Sequence, residues 1–228
     1  MAKAVVLLSG GLDSATCMAV AGNEGFELYA LTIDYGQRHR IEIEKARKLA
    51  SAFKAARHVV LPLDLSVWGG SALVTNDPVP KGRAEEEMSS AIPPTYVPAR
   101  NTVFLSLALA FAEAVDAADI FIGVNRIDYS GYPDCRSDFI HQFESLANVG
   151  TKKGIAGERF RIHTPLIDLS KAEIVRLAQQ LGVDFSLTHS CYDPDANGRP
   201  CGVCDSCLLR KKGFQTAGIE DTALTTSL

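Results

Sequence analysis

The stretch Ser9-Gly10-Gly11-Leu12-Asp13-Ser14 stands between a five-residue apolar run, residues 4–8, and a helix-like stretch over residues 15–21. That order constrains the fold more than any other feature. A strand feeding a tight turn and then a helix opens an α/β unit, and a second strand over residues 27–34 makes the crossover parallel and right-handed. Two adjacent glycines without side chains let peptide N–H groups approach an anion. The helix start adds unpaired N–H groups and a partial positive charge. The loop lacks the spacing and lysine of a Walker A motif. It suits pyrophosphate better than a transferred γ-phosphate. The alternative is a glycine turn that binds nothing, and the serines at both ends and the acid inside the loop weigh against it.

The pattern then repeats. Residues 41–53 place Ile41, Ile43, Ala46, Leu49, Ala50 and Phe53 largely on one helical face, and residues 58–61 supply a third strand before Pro62. Residues 64–98 interrupt the alternation with Gly69-Gly70, four prolines between Pro78 and Pro94 and an acidic run, which predicts a lid-like excursion. A helix over residues 101–115, a buried strand over 120–124, a helix over 136–147 and a short strand over 161–164 follow. Ser170 with Glu173 three residues later opens a last helix, and Gly182 stops it. The expected fold is α/β, a doubly wound, mainly parallel, Rossmann-like sheet over residues 1–185. A small C-terminal metal-binding segment over residues 186–228 completes the chain.

Composition narrows the function. A chain of 228 residues suits one main domain, and a net charge of −4 with a pI near 5.7 argues against a broad nucleic-acid footprint. The N-terminal apolar run is too short for a signal peptide, and the longest apolar segment, residues 103–112, is too short to span a membrane. A cytoplasmic protein acting on small anionic molecules is expected.

In an open α/β sheet, ligands bind outside the carboxyl ends of the strands. The 9–14 loop, residues 34–39 and residues 125–136 all fall there. Arg100 precedes a helix and offers a planar fork for phosphate or carboxylate, beside Asn101, which could equally be only a helix cap. Lys171 sits in the first turn of a helix, where the dipole disfavours a cation; an anionic ligand nearby would explain it, and so would simple solvation. Cys191, Cys201, Cys204 and Cys207, with Gly198, Pro200 and Gly202 among them, have the spacing of a closed, structural four-thiolate zinc site. An iron–sulfur cluster or two disulfides are the alternatives. Cys17 reads as a small buried hydrophobe, and Cys135 as inert within a candidate binding loop. The five histidines show no pair at metal-ligand helical spacing, and most are expected to be structural; His189, two residues before Cys191, could replace a thiolate, but four cysteines suffice.

Taken in order, Ser-Gly-Gly-x-Asp-Ser, Asp-Tyr-Gly-Gln-Arg-His, Val-Pro-x-Arg-Asn, Tyr-Ser-Gly-Tyr-Pro-Asp-Cys-Arg and Cys-Gly-x-Cys-x-x-Cys make the chain resemble the 7-cyano-7-deazaguanine synthases from about residue 4 to residue 210. The opening loop is similar to the pyrophosphate loop of the adenine-nucleotide alpha hydrolase-like superfamily. Where the family often has glycine, this chain has Ala99. The resemblance implies that 7-carboxy-7-deazaguanine, ammonia and ATP become a nitrile through adenylated acid and amide intermediates, in queuosine biosynthesis. It implies a nucleotide-binding stretch of Leu8, Ser9, Gly10, Gly11, Leu12, Asp13, Ser14, Ala15, Thr16, Cys17 and Met18, with magnesium on the pyrophosphate. Asp13, Ser14, Arg100 and Lys171 become the catalytic candidates. Arg100, Asn101, Tyr132, Asp134 and Arg136 become the substrate contacts, with Asp134 facing the guanine-like edge. No general base is identifiable. The apolar residues of the 68–98 stretch, together with the resemblance, suggest a homodimer. The rivals are another adenylating enzyme of the superfamily acting on transfer RNA, a thiolase or lysidine-type synthetase, and a non-enzymatic zinc-dependent nucleic-acid-binding module.

Overall fold

The computed structural model describes residues 1–89, 91–125 and 132–225. Strands β1 (Lys3–Leu7), β2 (Glu27–Asp34), β3 (Arg57–Pro62), β4 (Asp119–Phe121) and β5 (Arg161–His163) form one sheet in the order β3-β2-β1-β4-β5. Every pair in it is parallel. The order reverses at β1, so the crevice at a topological switch point opens beyond the carboxyl ends of β1 and β4.

The long helices are α1 (Leu12–Asn23), α2 (Ile41–Ala52), α4 (Arg100–Ala114), α5 (Ser137–Gly150), α7 (Lys171–Gln180) and α8 (Asp205–Ala217). Short helices α3 (Glu85–Ser89), α6 (Lys152–Ile155) and α9 (Thr222–Thr225) lie between and after them. The apolar run of β1 explains the layering. Ala4, Val6 and Leu8 face Met18 of α1, Leu49 of α2, Ile174 of α7 and Phe214 of α8. Val5 and Leu7 face the other way, toward Leu105 of α4 and Phe143 of α5. A central parallel strand is buried on both faces, so its sequence is apolar throughout rather than alternating.

The helix signals at 170–182 hold: the Ser170 hydroxyl accepts the Glu173 N–H and Glu173 reaches back, a complete capping box. Two elements differ from the sequence-based expectation. β4 ends at Phe121, because after Ile122 donates to the His163 carbonyl at 3.0 Å the chain leaves the sheet to line the crevice. Beyond residue 189, where the sequence pattern marked no helix, Cys204 leads into the thirteen-residue helix α8.

The 64–98 excursion is tied to the cysteine segment. Ala72 and Val79 pack against Cys191, Cys204 and Cys207, Lys81 bridges Cys204, and Gly82 N–H donates to the Val203 carbonyl at 2.8 Å. Arg83 pairs with Asp205, and Lys212 with Glu85. Among the described residues no helix is long and apolar enough to cross a membrane.

Candidate active site

The chain leaves β1 through Leu8, whose N–H still reaches the Leu31 carbonyl at 2.9 Å, and turns at Gly10 with φ +91°. A Cβ there would stand 2.1 Å from the Glu42 carbonyl oxygen, so only glycine fits. Gly11 is the extended N-cap of α1 and no side chain caps the helix. The first-turn N–H groups therefore lack intrahelical partners, the usual anion site at a helix start. The Ser9 and Ser14 hydroxyls lie 3.1 Å apart, and Ser14 Oγ donates to the Gly11 carbonyl at 3.0 Å.

Ser9, Gly11, Leu12, Asp13 and Ser14 line one wall of a cavity of about 240 Å³. By contrast Ala15, Cys17 and Met18 belong to the core and Thr16 donates to the Leu12 carbonyl at 2.8 Å. None of these four lines the cavity, since α1 carries them away from it into the layer beneath; they support the loop from below. Cys17 is fully buried, as expected, and burial raises its thiol well above the usual range.

Lys171 meets a carboxylate of the loop itself. Its Nζ stands 2.9 and 2.7 Å from the two Asp13 oxygens, and Asn125 Nδ2 donates to Asp13 Oδ2 at 2.8 Å. Lys171 lies against Gly213 of α8, where a Cβ would be 2.5 Å from Lys171 Cγ. The cysteine segment also holds the loop directly, through the His189 N–H donated to the Gly10 carbonyl at 2.9 Å. The His189 Nε2 lies 3.1 Å from the Cys191 carbonyl, and burial lowers the imidazole to about 4, which keeps it neutral.

The cavity is also lined by Arg100, Asn101, Phe104, Tyr35, His39, Glu42, Tyr132, Cys135 and Tyr192. The Arg100 guanidinium sits 5.9 Å from the Phe104 ring centre, and burial, with Glu42 nearby, pushes the Tyr35 phenol above its usual range and keeps it a donor. Ala99, the N-cap of α4, is left-handed with φ 52°, a conformation that suits glycine.

Asp134 takes a different place from the one expected. It is buried, and Oδ2 accepts the Asn101 N–H at 2.9 Å while Asn101 Nδ2 donates to the Asp134 carbonyl at 3.1 Å. A carboxylate thus satisfies the start of α4 from 33 residues away, and it does not line the cavity. Asn101 is accordingly no cap. Arg136 is exposed at the start of α5 and lies outside the cavity. Tyr132 is in the wall, its hydroxyl 3.2 Å from Thr95 Oγ1. Residues 126–131 of the expected recognition loop lie outside the described residues.

The sulfurs of Cys191, Cys201, Cys204 and Cys207 all lie within 4.8 Å of one another, and all six cysteines are free thiols. Tetrahedral zinc with Zn–S near 2.3 Å needs sulfurs about 3.8 Å apart, so the donor set fits the ion. Backbone N–H groups of Asp193 and Cys201 point at Cys191 Sγ at 3.3 and 3.2 Å, and that of Cys204 at Cys201 Sγ at 3.3 Å.

Several wall residues carried little or no sequence signal. The 34–39 segment was flagged by position, but Phe104 sits in a plain helical run and Tyr192 between cysteines, and only folding brings them together.

Comparison with known proteins agrees with this architecture. A family model described as queuosine biosynthesis protein QueC matches residues 3–218. The 7-cyano-7-deazaguanine synthase of Desulfatibacillum aliphaticivorans is 60% identical over 220 residues, covering 96% of this chain and 94% of that protein. The synthase of the same name from Myxococcus xanthus is 59% identical over 219 residues, covering 96% and 95%. NMN synthetase from Francisella tularensis superposes with a TM-score of 0.51 at 15% identity, covering 96% of this chain and 78% of that one, a likeness of fold. With near-60% identity to relatives along almost their whole length and the family model matched from residue 3 to 218, the chain belongs to the queuosine biosynthesis protein QueC family.

Proposed function

We infer that the chain is an ATP-dependent C–N ligase that converts 7-carboxy-7-deazaguanine and ammonia to 7-cyano-7-deazaguanine in queuosine biosynthesis. The observation that carries this reading is one cavity with two unlike walls. One is the helix-start anion loop, the other an arginine set among aromatic rings.

A carboxylate is a poor electrophile because its leaving group would be oxide. Transfer of AMP to a carboxylate oxygen makes AMP the leaving group, and the α1 N-terminus with the Ser9 and Ser14 hydroxyls holds the departing pyrophosphate. Lys171, already poised on Asp13, shares its charge with the phosphates, and Arg100 neutralises the far side. Ammonia then displaces AMP to give the amide. A second adenylation, on the amide oxygen, allows loss of AMP and a proton to leave the nitrile. Tyr35, Phe104, Tyr132 and Tyr192 grip the flat base, with Asn101 at its edge. Asp134 acts by holding the start of α4, and so Arg100, in place.

Magnesium bound with the nucleotide would neutralise phosphate charge. The loop carboxylate that could hold it is Asp13, whose two oxygens accept hydrogen bonds from Lys171 and Asn125. Cys191, Cys201, Cys204 and Cys207 would hold zinc with all four positions filled, and the ion would supply structure by fastening residues 186–228 to the nucleotide-binding body of residues 1–185. The excursion over residues 64–98 fastens to the cysteine segment rather than lining the cavity. It exposes Val67, Trp68 and Ile92, and a homodimer in the cytoplasm would cover them.

A transfer-RNA substrate is disfavoured because the Arg210, Lys211 and Lys212 run is largely spent internally. Arg210 makes a paired contact to Asp221 at 2.6 and 2.8 Å, and Lys212 meets Glu85. Incubation with ATP, ammonium and the deazaguanine acid should yield AMP and a product lighter than the amide by one water. AMP formation that requires transfer RNA instead would overturn the reading.

A further inference from the structure

We propose that Glu42 sets specificity for the deazaguanine, its carboxylate accepting from both donors of the base's guanine-like edge, the ring N–H and the 2-amino group. Two acidic side chains line the cavity among the described residues, Asp13 and Glu42. Asp13 is spent on Lys171 and Asn125. No lysine or arginine among the described residues pairs with Glu42, and its side chain keeps 13% of its surface exposed. Oε1 accepts Gln37 Nε2 at 2.9 Å, while His39 Nε2 stands 3.3 Å from Oε2 without the alignment of a hydrogen bond. Were Oε2 sealed inside the protein it would be a buried polar atom without a partner, and among the described residues the single such side-chain atom is His39 Nδ1. Oε2 is therefore open.

The carboxylate is also held in place. Gln37 is 1% exposed, and its Oε1 accepts the Tyr35 N–H at 2.7 Å, so the amide that orients Glu42 is itself fixed. The Glu42 carbonyl abuts Gly10, which ties the start of α2 to the 9–14 loop. An ionised carboxylate only accepts, with about four lone-pair sites, and Gln37 uses one. Two adjacent donors on the base suit what remains. The corresponding edge of adenine sets a ring acceptor beside its amino group, and that lone pair would face the negative charge, so ATP is not the partner of Glu42. Asn101 is no substitute. Its Nδ2 is turned to the Asp134 carbonyl and to Cys135 Sγ, both at 3.1 Å, which leaves one amide oxygen for two donors. Glu42 thus takes the part expected of Asp134, which the fold keeps out of the cavity.

The assignment rests on the nitrile-forming reading above, and its test separates the two. The full chain is assayed with the deazaguanine acid and with the analogue that lacks only the 2-amino group. Glu42→Gln keeps an acceptor for Gln37 and sets an N–H where the base needs an acceptor. It should raise the Michaelis constant for the acid about ten- to a hundredfold, with kcat and the constant for ATP within about threefold. In the parent, kcat/KM for the analogue should fall at least about tenfold below that for the acid. In Glu42→Gln the two substrates should differ by less than about threefold, a ratio that does not depend on how much of the variant is folded. An unchanged constant for the acid would overturn the assignment, as would a rise for ATP instead, or a variant that keeps the parent's preference for the 2-amino group. A parent protein that forms neither AMP nor nitrile from the acid would overturn the underlying reading instead.

Discussion

The 9–14 loop and the cysteine segment are both ion-binding motifs written in a few residues, yet they are assembled over very different chain distances. The loop holds itself together between Ser9 and Ser14, with one strand before it and one helix after it. The cysteine site needs Ala72, Val79, Lys81 and Arg83 from the 64–98 excursion to close around it. Local motifs announce their structure, and long-range ones announce only their chemistry. The two are nonetheless joined, since His189 anchors Gly10 and α8 backs Lys171.

The strongest way to break the comparison is to remove the metal. Structural zinc contributes on the order of 10 kcal/mol to small domains. Cys204→Ser should therefore lose zinc, lower the melting temperature by more than about 10 °C and abolish activity, although every loop residue is intact. Metal content by mass and a thermal scan check this. Next, Lys171→Ala leaves Asp13 with Asn125 alone and should cut acid-dependent pyrophosphate release more than about a hundredfold. Its effect on stability should stay near 1–3 kcal/mol, because the pair is only partly buried. Urea unfolding distinguishes that from a folding defect.

The contrast explains what could be read in advance. β1, the loop, α1 and the Ser170 capping box were legible because each depends on neighbours within a turn or a strand. The four cysteines were legible by spacing, but α8 was not: Gly213 interrupts its pattern, and the helix is stabilised by packing on α7. The Asp134 role was illegible for the same reason. Nothing local to residue 134 says that its carboxylate serves a helix beginning at Arg100.

Smaller effects sharpen the point. Asp134→Ala should cost about 0.5–2 kcal/mol of stability, as for a lost cap, with the Michaelis constant for the acid nearly unchanged. A tenfold rise in that constant at unchanged stability would return Asp134 to the substrate. Ala99→Gly should raise stability by about 0.5–1 kcal/mol, read as a higher urea midpoint, since Ala99 carries the left-handed turn before Arg100.

The central claim is that one loop activates the same carbon twice. Its most direct measurement is the ratio of AMP to nitrile during complete turnover with ATP, ammonium and the deazaguanine acid. The account predicts that AMP accumulates to twice the nitrile, with the amide appearing transiently between them. One AMP per nitrile, or a nitrile formed with no amide, would contradict it.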